Sequence, residues 1–180
     1  FLALRRTLDL SNSTLLWQDW GGVLGLTLPR ELPVRFKRLI MMNRGLMAGP
    51  VNNPASVKWK AFIVSNPDVP VEAVMQNNEP IINDAEAAAY GAPFPDARYK
   101  AGVRPFPKLV ATTMEAPGVA TSQRASKLWS EDWEGESFMG TGMTDKMLGP
   151  DVMNFMRNVI RGRPQLLQRE AGGHFVKSTC

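Results

Sequence analysis

The sequence predicts an α/β fold: a mostly parallel sheet with an inserted helical segment. Three observations predict it. Short apolar runs of strand type alternate with helix-like runs over the first 43 residues, and the alternation resumes at residue 119. The stretch between, residues 46–114, holds nine of the fourteen prolines and shows no strand pattern. Finally, Asp19, Asp145 and His174 each stand just past a strand-like run, where an open α/β sheet puts its ligands.

The elements follow in order. Residues 1–10, "FLALRRTLDL", read as a helix with Leu2, Leu4, Leu8 and Leu10 near helical spacing, and "SNST" as a turn. "TLLWQ", residues 14–18, is a short apolar strand suited to a parallel sheet buried on both faces. After Gly21 and Gly22, "VLGLTLP" reads as a helix that stops at Pro29. "RLIMMN", residues 38–43, is a second strand. The inserted segment has helical pieces such as "DAEAAAYGA". A helix covers 119–132, "FMGTG" at 138–142 is a strand, and "PDVMNFMRNVI" is an amphipathic helix. Its apolar stripe is Val152, Met153, Phe155, Met156, Val159 and Ile160. "QLLQRE", 165–170, is the last strand.

Composition narrows the function classes. The 180 residues are 44% hydrophobic and 21% charged, enough for a sizeable core. The net charge of +4 comes from scattered residues, so no nucleic-acid footprint is expected. No apolar run approaches the roughly 20 residues of a membrane helix. The single cysteine, Cys180, excludes an internal disulfide and a thiolate metal cluster and suits a reducing compartment. The chain opens on Phe1 in what reads as mid-helix, so we expect an internal fragment of a longer protein.

"LLWQDWGGVLG", residues 15–25, raises the chemical question, because a lone carboxylate ends an apolar strand and glycines follow at once. A sharp strand-to-helix turn that lifts a nucleophile out of a sheet needs small residues beside it, and Gly21 is two positions after Asp19. Two positions before stands Trp17, so the pattern is half present. On this stretch alone, a helix-capping role for Asp19 is the stronger reading. Asp145 lies three residues past Gly142, and His174, the only histidine, lies just past the last strand. Nucleophile, acid and histidine then follow in the order of an α/β-hydrolase triad. An aspartate needs no base to ionise at neutral pH. It can displace a leaving group from saturated carbon and leave an ester that a histidine-activated water opens. The pattern predicts hydrolysis of a carbon–halogen or carbon–oxygen bond.

The motifs "QDWGG", "FKRLI.MN", "AYGAPFPD..Y.AGVR.FPK.V", "FM..GM.DK.LGPDVM" and "GHFV" resemble the haloalkane dehalogenases, most closely the subfamily that includes the 1,2-dichloroethane dehalogenase. The resemblance runs along nearly the whole chain. It implies an α/β-hydrolase core over residues 1–50 and 115–180, incomplete here, and a helical cap over 51–114. It makes Asp19 the nucleophile, His174 the base for water and Asp145 its orienting acid. It gives the halide two indole N–H donors, from Trp20 and from Trp59 in "VKWKAFIV". The Trp20 backbone N–H becomes half of an oxyanion hole whose partner lies upstream of Phe1. Phe106, Pro107, Val110 and Leu148 become apolar pocket wall. The implied partners are a small halogenated hydrocarbon, the halide ion and water, with no metal or organic cofactor. A monomer in the cytoplasm is expected.

Departures from the family pattern carry expectations too. The cap is shorter than that of the dichloroethane enzyme between Pro54 and Trp59. Ser56 and Val23 replace aromatic residues, which should open the pocket to bulkier substrates, and the large Trp17 bears on the elbow. Two alternatives stay open. An epoxide hydrolase shares the Asp nucleophile but needs a proton donor for its alkoxide, normally two cap tyrosines, and Tyr90 and Tyr99 both lie in this region. The other is an inactive truncated polypeptide with bare sheet edges.

Overall fold

The computed structural model describes residues 2–78 and 81–176. Cys180 lies outside the described residues. Four strands form one sheet in the order β1-β2-β3-β4: Ser13–Gln18, Phe36–Met42, Glu136–Gly142 and Leu166–Arg169. All three pairings are parallel. Around them lie α1 (Leu2–Thr7), α2 (Asp19–Gly25), α3 (Leu28–Glu31), α4 (Pro54–Ser65), α5 (Val71–Gln76), α6 (Asp84–Gly91), α7 (Val119–Lys127) and α8 (Pro150–Val159). A π-helical turn, Leu128–Asp132, prolongs α7. Among the described residues no helix is long and apolar enough to cross a membrane.

One sheet face makes the core. Leu15, Leu39, Met41 and Met139 alternate onto it and are buried. Against them pack Leu26 of the α2–α3 link, Leu28 of α3, Ala125 of α7, and Met153 and Met156 of α8. Each such large side chain contributes about 1.5–3 kcal/mol by leaving water. Trp129 is fully buried at their centre, and its indole N–H donates to the Leu26 carbonyl at 2.8 Å.

Three expectations need correction. Within the described residues only one face of the sheet is covered. Leu16, Ile40 and Phe138 are cross-strand neighbours on the second face, where Leu16 is 57% and Phe138 43% exposed. The core-packing helices all serve the other face. The helix after Gly22 does not run to Pro29: α2 ends at Gly25, and Pro29 sits in the first turn of α3. Proline fits there because a first-turn N–H has no helical acceptor. Phe155 does not share the buried stripe of α8, whose core residues are Met153 and Met156. Phe155 is 62% exposed.

Trp17 does not spoil the turn after β1. Its ring lies against α2, where a Cβ on Gly25 would come within 2.2 Å of it. Glycine at 25 is what makes room for the indole.

Residues 43–135 leave the sheet after β2 and return to β3, its direct neighbour, with no strand among the described residues between. The Asn53 side chain caps α4 by accepting from the Ala55 N–H at 2.8 Å, and its amide donates to the carbonyls of Lys146 and Met147. The start of the inserted helices is thereby tied to the loop after β3.

Candidate functional site

All four strands end at one edge, and each delivers a polar side chain there. After β1, Gln18 is extended (φ −141°) and Asp19, the first residue of α2, flips to φ +46°. The N-cap position is therefore Gln18, without a side-chain cap bond, and the capping reading of Asp19 is not realised. A left-handed aspartate costs about 1–2 kcal/mol. The strain holds the carboxyl group up off the sheet, 42% exposed.

After β3, Asp145 is buried and fully engaged. Its Oδ1 accepts from the backbone N–H groups of Met147 (2.8 Å) and Leu148 (3.0 Å). Its Oδ2 accepts from Asn43 Nδ2 (2.7 Å) and lies 2.8 Å from His174 Nδ1. Burial alone would raise its pKa. The His174 contact and the two backbone donors outweigh burial and hold it below the ordinary carboxylate value.

An anionic Asp145 sets the His174 tautomer, with Nδ1 carrying the hydrogen toward the acid. That leaves Nε2 facing Asp19, 3.9 Å from its Oδ1. The Gln18 side chain donates to the His174 carbonyl and anchors the loop after β4 beside β1. Burial pushes the imidazole pKa down, but the Asp145 hydrogen bond and the charges of Asp145 and Asp19 raise it above its ordinary value.

Two residues escaped sequence reasoning, both after β2. Asn43, fully buried at φ +37°, donates to Asp145 and to the Gly173 carbonyl (3.1 Å) and accepts from the Gly142 N–H (2.9 Å). It thus joins three strand ends. The available signal was a polar residue of a type that tolerates the left-handed region, directly after an apolar strand. Arg44 is also buried, with Nη1 3.9 Å from Asp19 Oδ1. Burial lowers its pKa to about 10, against the opposing pull of Asp19.

Asp19 and His174 open on a cavity of about 1030 Å³. Trp20, Trp59, Phe106, Pro107, Val110 and Leu148 all line it. Phe106 stands edge-on to Trp20 at 5.0 Å between ring centroids, and the half-buried Trp59 stacks on Phe62 at 5.8 Å. Ser56 lines the cavity, whereas Val23 is buried and does not. Tyr90 and Tyr99 are 47% and 59% exposed and are not among the lining residues.

No family model matches the chain. A haloalkane dehalogenase of Mycolicibacterium paratuberculosis is 31% identical over 172 residues, which is 94% of this chain and 57% of that protein. One from Psychrobacter cryohalolentis is 38% identical over 128 residues, 70% of this chain and 42% of its own length. The tetrameric haloalkane dehalogenase DpaA of Paraglaciecola agarilytica superposes with a TM-score of 0.92 at 40% identity, covering 99% of this chain and 60% of that one. The chain therefore spans only 42–60% of the length of these relatives.

Proposed function

Because this chain is a homologue of the haloalkane dehalogenases, built on the α/β-hydrolase fold, we propose that the protein it belongs to hydrolyses haloalkanes to an alcohol and a halide ion. The observation that carries this reading is the line Asp145–His174–Asp19: Nδ1 is bonded to a buried carboxylate, and Nε2 is turned toward a second carboxylate at an apolar cavity.

Asp19 attacks the saturated carbon. A carboxylate lone pair forms the C–O bond, and the C–halogen pair leaves with the halide. The indole N–H groups of Trp20 and Trp59 receive that anion, since indole is a donor with no acceptor to repel it. Water then attacks the ester carbonyl and gives its proton to His174 Nε2. Asp145 orients the ring and balances the imidazolium. The tetrahedral intermediate collapses, the departing alkoxide takes the proton back from His174 and leaves as the alcohol, and the Asp19 carboxyl group releases its own proton to solvent, which restores the carboxylate and the neutral imidazole. Residues 51–114 act as the cap that closes the cavity. The cavity's size and Ser56 in its wall favour substrates bulkier than 1,2-dichloroethane. These roles draw on a single chain and suit a monomer as well as a tetramer such as that of the Paraglaciecola protein.

Epoxide opening shares the nucleophile but needs an acid for the alkoxide. The exposed Tyr90 and Tyr99 stand apart from the cavity lining, which weighs against it.

The test uses the whole gene product with a bromoalkane. Bromide release is expected from the parent and none from Asp19→Ala. His174→Gln should trap the ester, seen as a mass increase on the peptide holding Asp19. Turnover by Asp19→Ala would exclude the alkyl-ester route.

A further inference from the structure

The charge placed beside Asp19 is not required by that chemistry. A carboxylate nucleophile is weakened, not strengthened, by a neighbouring cation, yet Arg44 is buried next to it. The placement is built into the fold. A Cβ on Gly22 would meet Arg44 Cγ at 2.0 Å and Cβ at 2.9 Å, so the arginine stem lies against α2 where only glycine leaves room. Nε donates to the Gly45 carbonyl at 2.6 Å, and the backbone N–H meets the Met153 sulfur at 3.2 Å. The guanidinium carbon stands 5.9 Å from the centre of the Trp20 ring. Among the described residues Asp19 is the one carboxylate within 4.0 Å of the guanidinium.

The reaction changes that pairing. Before it, Arg44 and Asp19 compensate each other. When Asp19 Oδ forms its bond to carbon and the C–halogen electron pair leaves with the halogen, the negative charge moves from the carboxylate to the halide. Asp19 is then a neutral ester, and Arg44 is a buried cation without a partner, a strongly unfavourable state. The newly formed anion beside Trp20 is the nearest available compensation.

We propose that Arg44 is the cationic member of the leaving-group site, binding the halide electrostatically once Asp19 has been alkylated. This rests on the dehalogenation reading for its role in turnover, but the anion site itself does not. Burial strengthens the attraction, since charge interactions gain weight as water is excluded. The consequence is halide held tightly for as long as Asp19 is esterified.

The probe is sodium bromide, titrated into the whole gene product carrying Asp19→Ala, which serves as the parent here because it lacks the competing carboxylate as the ester does, and followed by tryptophan fluorescence. Arg44→Met should weaken bromide binding by about tenfold or more, while Arg44→Lys should stay within about threefold of the parent. Arg44→Gln gives the same reading should the Met variant lose the parent's near-UV circular dichroism. Equal bromide affinity in the parent and the neutral variants overturns the proposal, as does a parent that does not bind bromide. The outcomes separate from those of the function itself. Bromide binding lost on neutralising Arg44, with no ester on Asp19 in His174→Gln, would keep the anion site and sink dehalogenation.

Discussion

Asn43 donates through Nδ2 to Asp145 Oδ2 at 2.7 Å, the same oxygen that meets His174 Nδ1. Asp145 is therefore held from the end of β2 as well as from its own loop. Its orientation is set by a residue 102 positions earlier in the chain.

Removing that support should be costly. Asn43→Ala leaves the Gly142 N–H without its acceptor and strips one donor from a buried carboxylate. A loss of about 1–3 kcal/mol in stability is expected from chemical denaturation. The pH limb assigned to His174 should move as well, because an unrestrained Asp145 raises the imidazole pKa less effectively. A variant with parent stability and an unmoved pH limb would show that Asn43 does not position the acid.

The pH dependence follows from the two shifted groups. On the proposed mechanism, hydrolysis of the ester needs neutral His174, so its rate in single turnover should rise with pH and reach half its maximum above 6.5, the ordinary histidine value. Asp145→Asn leaves burial as the main influence on the ring, so the limb should fall to lower pH while the plateau rate drops. The stability signs are opposite for the two groups. The raised His174 pKa contributes stability that is complete below about pH 6.5 and is lost as pH climbs through the folded value. The lowered Asp145 pKa contributes stability present above the unfolded value of 3.8 and lost as pH falls through the folded one. Denaturation midpoints across this range would test both signs.

Two glycines give a clean contrast in packing. Gly25→Ala drives a methyl group into the Trp17 ring at 2.2 Å. It should cost about 1–3 kcal/mol, with some disturbance of the Asp19 turn. Gly102→Ala meets nothing within 4 Å and has a right-handed helical backbone (φ −74°), so it should be neutral or slightly stabilising. Melting temperatures of the two variants decide. Equal effects would mean that Trp17 moves aside without cost.

Local pattern located the four strands and several of the helices, but not the break between α2 and α3. Short apolar runs bounded by turn residues marked the strands, the amphipathic stripe marked α8, and the proline-rich stretch marked the segment that leaves the sheet, because these features act through the chain's own neighbours. Residue type and order picked out Asp19, Asp145 and His174 as candidates, and the motifs around them carried the family resemblance. Three-dimensional packing decided the rest. Phe155 and Met153 are equally apolar, but which of them meets the core depends on where α8 lies against β3. The second sheet face reads as apolar in sequence, and among the described residues nothing covers Leu16 and Phe138, because burial is set by what lies over a strand and not by the strand itself. Asn43 and Arg44 gain their roles from partners on other strands, and one-dimensional spacing holds no trace of a contact made only when parallel strand ends converge on one edge.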